Sequence, residues 1–180
     1  MRQKKNAFGM DLIRAAGFPL QAAEAVCARK TDPAGLYRQS ALYYASFCEK
    51  VDRAFVTPLD RRDLLEMASG FHRLTGRISR LPASVFPEAG SYLLGMCRAL
   101  REALVHWRPF GCKTNAMGLY LQKAWDCAAK GIETADWKAV RWSIPAVWIK
   151  AADGLIHLEA CFQCGSELAD LIRRIQIQNG

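Results

Sequence analysis

The sequence predicts an all-α fold: an antiparallel bundle of about six helices in one domain, residues 1–180. Three observations predict it. Apolar residues recur at spacings of three and four along most of the chain. Gly and Pro interrupt that pattern at intervals of roughly 25 residues. No stretch alternates apolar and polar residues with Val, Ile or Thr enrichment and hairpin turns, so strands are not expected.

The first helix is expected from about Asp11 to Arg29, with Leu12, Ile13, Ala16, Leu20, Ala23 and Val26 inward. Gly17 and Pro19 could kink or divide it. Asp32 suits a helix cap and Pro33 a first helical position, so a second helix starts there. It reaches about Phe55, with Leu36, Tyr43, Phe47, Val51 and Phe55 on its inner side. Thr57 is then expected to cap the third helix, with Pro58 at its first position and Asp60 and Asp63 in its first turn. This helix carries Leu64, Met67, Ala68, Phe71, Leu74 and Ile78 on one face and runs to about Arg80, where Leu81-Pro82 ends it. The fourth spans about Glu88–Trp107 and the fifth about Thr114–Thr134. A short helix or turn follows at Trp137–Trp142. The last helix opens at Ser143-Ile144-Pro145 and reaches about Gln176. Val147, Ala151, Leu155, Leu158, Phe162, Leu168, Leu171 and Ile175 form its inner face.

The net charge of +8 favours acidic partners, such as phosphate species, nucleic acid or an anionic membrane face, or serves only solubility. No run approaches the roughly 18–20 apolar residues that span a bilayer. The basic start MRQKKNAFGM leads into no long apolar stretch with a cleavage site, so the protein is expected in the cytoplasm. Seven cysteines, an odd number, argue against a disulfide framework. The lone CxxC, Cys161 and Cys164, lacks a second ligand pair and reads as core packing rather than metal or redox chemistry. His72, His106 and His157 are too far apart in sequence for a zinc motif, and no phosphate-binding glycine loop or nucleophile elbow is present. Trp107, Trp125, Trp137, Trp142 and Trp148 read as core or inter-helix filling, with an interaction surface as the alternative if Trp142 and Trp148 are exposed.

The run Arg53-Ala54-Phe55-Val56-Thr57-Pro58-Leu59-Asp60-Arg61-Arg62-Asp63 resembles the signature of the PhoU-like family, in the branch that accompanies inorganic phosphate permeases. There a helix ends in a Phe-Ile/Val-Thr-Pro step followed by Asp-Arg-Glu/Asp-Asp, matched here by Phe55, Thr57, Pro58, Asp60, Arg61 and Asp63. Ala68-Ser69 and the ending Ile175–Gly180 fit the same pattern. The resemblance implies a bundle of two three-helix units. It also implies a non-enzymatic regulator that contacts a phosphate permease at the cytoplasmic side of the inner membrane. An anionic membrane surface is a further partner it allows, and self-association into a homo-oligomer stays open.

Such families gather Glu-x-x-x-Asp carboxylates around a metal cluster. This chain departs from that pattern at Gln39, Ala41, Ser46, His72, Arg73, Gly76, Gln122 and Ala124. Asp126, Glu159, Glu167 and Asp170 remain, as residual metal ligands or as ordinary solvated charges. The cluster is therefore expected to be lost or reduced, and no cofactor is expected. Arg61 and Arg62 in the first turn of the third helix could meet an anion, or could pair with Asp60, Asp63 or Glu66. The rival function is a basic helical module that binds nucleic acid or other partners, though no nucleic-acid recognition motif is present. A metal-dependent enzyme built on Asp126, Glu159 and Glu167 ranks last.

Overall fold

A computed structural model of the chain describes residues 7–28, 33–82, 87–107, 115–135 and 145–179. It is an all-α bundle of six long helices: α1 (Ala7–Ala28), α2 (Pro33–Arg53), α3 (Arg61–Ile78), α4 (Pro87–Val105), α5 (Asn115–Thr134) and α6 (Pro145–Asn179). The segment at Trp137–Trp142 and the cap at Asp32 lie outside the described residues. No helix among the described residues is long and apolar enough to cross a membrane.

The helices form where the apolar stripe finds neighbours. α3 shows this most clearly. Leu64, Met67, Phe71, Leu74 and Ile78 are buried, while Arg61, Arg62, Arg73 and Arg77 on its other side are exposed. α1 packs on α2, α3 and α4, and α6 packs on α3, α4 and α5. α2 and α3 also touch, as do α4 and α5. With neighbours on three sides, α6 buries a wide face that adds Cys161, Ala169 and Ile172 to the expected Leu155, Leu158, Phe162, Leu168, Leu171 and Ile175. Its 35 residues give it a length of about 52 Å.

Three local expectations are corrected. α1 begins at Ala7 and runs unbroken through Gly17 and a buried Pro19. Burial of Ala15, Ala16, Ala22 and Ala23 against three neighbouring helices outweighs the lost N–H. α2 ends at Arg53, so Phe55 leaves the helix one turn after buried Val51 and is 99% exposed instead of in the core. Thr57 does not cap α3. The cap is Asp60, at φ −53° and ψ 136°, whose carboxylate accepts from the Arg62 N–H at 2.7 Å. Starting there lets Leu59 drop into the core at 5% exposure, while the Thr57 hydroxyl donates to the Leu59 carbonyl at 2.7 Å.

The cysteines follow the packing. Cys97 and Cys161 are fully buried and Cys164 nearly so. Burial pushes the Cys161 thiol up to about 12 and raises Cys97 and Cys164 as well, so none is a ready thiolate. Cys97 and Cys161 are expected to resist alkylation in the folded protein and to react once it is unfolded. Labelling followed by mass spectrometry checks this, and native-state modification of Cys161 would contradict it.

A cationic cleft between α3 and α6 as the candidate functional site

The groove between α3 and α6 holds two adjoining clefts, and Arg73 lines both. The first, about 370 Å³, has Glu66, Glu167, Asp170, Arg73 and Arg174 at its edge. Here the charges compensate one another: the Arg174 guanidinium stands 3.7 Å from the Glu66 carboxylate. The second, about 390 Å³, is lined by Tyr37 from α2, by His72, Arg73, Gly76, Arg77 and Arg80 from α3 and its end, and by His157 and Ala160 from α6. Among the described residues no carboxylate lines it.

The helix geometry explains the convergence. Positions 73 and 77 are four residues apart, so they share one side of α3 beside its apolar stripe, and Arg80 follows in the turn just past the helix end at Ile78. The three arginines are exposed, and among the described residues none of them forms an ion pair. Part of their value is local, since positive charge complements the carbonyl end of α3. Arg73 lies more than a turn before that end.

The aromatic wall of the cleft is fixed by packing. The Tyr37 ring presses on Gly76, where an added Cβ would lie 2.8 Å from the ring edge. Any larger residue at 76 would push that ring away. His72 is stacked between Tyr37 and Tyr44, with centroids 5.0 and 5.5 Å away and planes within 7° and 5°. Its Nδ1 lies 3.1 Å from the hydroxyl of buried Ser40, within hydrogen-bond reach. Burial lowers the His72 pKa from its ordinary 6.5, so the ring is neutral near pH 7. At the opposite wall His157 is 3.9 Å from exposed Asp153, one turn away on α6.

A consequence for stability follows from His72. As pH falls below about 6.5, the unfolded chain takes up a proton there before the folded chain does. Stability from this residue is therefore complete above that pH and declines as acidification proceeds through the lower folded-state value. Replacing His72 with Gln is expected to flatten the fall in melting temperature between neutral pH and mild acid. Parallel slopes for both proteins would contradict the assignment.

The sequence-predicted sites distribute unevenly. His72, Arg73 and Gly76, three positions where the resemblance implies acidic residues, all line the second cleft. Glu167 and Asp170 meet Glu66 and two arginines at the first. Glu159, half-buried on α6, and Asp126, exposed on α5, line neither cleft, and Asp126 accepts from the Gln122 amide at 3.0 Å. Of these four residues only Glu167 and Asp170 share a cleft. Among the described residues no group of three or more His, Cys, Asp or Glu side chains is arranged to hold a metal ion. Arg61 turns back to donate to the Ala54 carbonyl, and Asp60 occupies the Arg62 N–H. These contacts stiffen the turn and leave less of the helix N-terminus for an anion. The Asp63 carboxyl titrates above its usual range through burial and the nearby Asp60 and Glu66 charges.

Two of the five tryptophans are placed. Trp107 packs half-buried against the core, and Trp125 is half-buried with the Arg173 guanidinium 5.2 Å from its ring centre. The side chains of Trp137, Trp142 and Trp148, and Cys112, lie outside the described residues. Sequence reasoning missed Tyr37, Arg77, Arg80 and His157 as members of a site. The spacing of the three arginines was visible in the sequence, whereas the approach of α2 and α6 to them was not. No model of a known protein family matches the chain, and no curated protein does either.

Proposed function

We propose that the chain is a non-enzymatic accessory protein of inorganic phosphate transport. It would act on the cytoplasmic side of the membrane by docking a helical surface on a phosphate permease. The observation that carries this reading is the α2–α3 turn. Phe55 and Val56 are 99% and 72% exposed, on a turn held from both sides. Arg61 ties it to the Ala54 carbonyl, Thr57 to the Leu59 carbonyl, and Leu59 anchors it in the core. Two apolar side chains on a stiff turn lose little freedom on binding, which suits them as contact anchors. The same turn carries the residues that resemble the phosphate-permease accessory branch of the PhoU-like family.

The contact pattern also agrees with two three-helix units of the PhoU-like kind. Within α1–α3 every pair of helices touches, and within α4–α6 every pair touches. Contacts between these two sets are α1 with α4 and α3 with α6. The basic excess would draw the protein toward an anionic membrane face or acidic loops of the permease. Co-sedimentation with vesicles containing an inorganic phosphate permease tests the reading. Retention above permease-free vesicles is expected, and Phe55→Ser with Val56→Ser should abolish the excess without unfolding the protein. Equal retention on both vesicle types would end the proposal.

A further inference from the structure

We propose that the cleft walled by Tyr37, His72, Arg73, Arg77, Arg80 and His157 binds an oligophosphate, the phosphoryl chain lying along the arginine row of α3. This site is independent of the docking reading: α3 carries the exposed turn at its start and the cleft toward its end.

Charge is the first argument. Three guanidinium groups face one cavity, and among the described residues no carboxylate lines it and none of the three is in an ion pair. The neighbouring cleft on the same groove contains three carboxylates together with Arg73 and Arg174. The groove thus has a mixed end and an end where three arginines line the wall and the Asp153 carboxylate stands only beside His157. Guanidinium groups give paired N–H donors that match phosphoryl oxygens, which a carboxylate-free wall leaves available.

Shape is the second argument. From Arg73 to Arg77 the helix rises by about 6 Å, and Arg80 follows in the turn just past its end at Ile78, which strings the three cations out rather than gathering them around one point. Single phosphate would engage one end of that row. A chain of two or three phosphoryl groups can meet successive arginines. The cavity, at about 390 Å³, has far more room than one phosphate group fills.

The aromatic wall is also preorganised. Tyr37 is seated on Gly76, and His72 is clamped between two tyrosine rings with Ser40 at its Nδ1. When Nδ1 accepts from Ser40, Nε2 carries the ring proton and is a neutral donor for a phosphoryl oxygen. This wall is in place before any ligand arrives, so binding orders mainly the arginine side chains.

The test is calorimetric titration of the full purified chain with inorganic orthophosphate, tripolyphosphate and ATP. One saturable tripolyphosphate site per chain is expected, with weaker orthophosphate binding. Arg77→Ala with Arg80→Ala should weaken tripolyphosphate at least tenfold. Arg98→Ala, an exposed arginine on α4 outside the cleft, should change it less than twofold. All these side chains are exposed, so melting temperatures are expected to hold and to certify folding. Arg77→Lys separates geometry from charge: binding should fall although net charge is kept. Equal binding of ATP and tripolyphosphate would assign recognition to the phosphoryl chain alone. Tighter ATP binding would give the aromatic wall to a nucleoside, and either result supports the site. Absence of saturable binding, or equal losses from the Arg98 and the Arg77/Arg80 variants, would overturn it. So would a single-stranded oligonucleotide that outcompetes tripolyphosphate for these arginines with a steep salt dependence.

Discussion

Replacing Gly131 with Ala is expected to destabilise the bundle by about 1–3 kcal/mol, although Ala is the better helix former. In α5 the substitution alone would favour the helix by roughly 1 kcal/mol. Against that stands α6. A Cβ at position 131 would lie 2.1 Å from the Phe162 ring, with two more ring atoms inside 2.5 Å. Phe162 is fully buried among α4, α5 and α6, so the ring has nowhere to swing. The helices must separate or the ring must leave its rotamer. Gly118 on the same helix provides the control. Nothing lies within 4 Å of its added Cβ, and the residue is exposed. Gly118→Ala is therefore expected to stabilise by up to about 1 kcal/mol. Urea denaturation of both variants measures the difference. A Gly131→Ala protein as stable as wild type would mean that α5 and α6 are not so closely packed. Adding Phe162→Leu to Gly131→Ala should recover part of the loss, since removing ring atoms relieves the clash.

Phe71→Ala is expected to cost about 3–5 kcal/mol, whereas Phe55→Ala should stay within about 0.5 kcal/mol of wild type. The two residues look alike as sequence, each four positions after an apolar neighbour, Met67 or Val51. Phe71 is 1% exposed in the middle of α3, where removal of the ring leaves a cavity that rigid helices fill poorly. Phe55 is 99% exposed and has little burial to lose. Thermal or chemical unfolding of the two variants checks the contrast. A large loss from Phe55→Ala would mean that the ring is covered in the folded protein. The same substitution is informative for docking, because binding that disappears while stability holds points to the surface.

The role of Phe55 shows how far periodicity reaches. Spacing correctly named Leu64, Met67, Phe71, Leu74 and Ile78 as one buried face, because α3 continues through all of them. The same rule placed Phe55 inward, and failed because α2 had already ended. Where the next helix starts depended on a competition between two caps. Thr57-Pro58 and Asp60 are both acceptable starts. Burial of Leu59 and the Asp60 bond to the Arg62 N–H occur with the later one. The candidate site divides in the same way. His72, Arg73 and Gly76 stood out as departures from an acidic pattern, but a departure alone says nothing about what replaces it.

Apolar spacing along a single rod was enough to specify the six helices and most of their inner faces. It could not specify that Tyr37 and His157 would line a cleft with Arg73, Arg77 and Arg80, that Asp126 would not line the cleft of Glu167 and Asp170, or that Phe55 would point outward. The physical reason is that a helix's periodicity sets which residues share its side. Which neighbour meets that side is set by packing between segments far apart in the chain, through close approaches such as Tyr37 on Gly76 and Phe162 on Gly131.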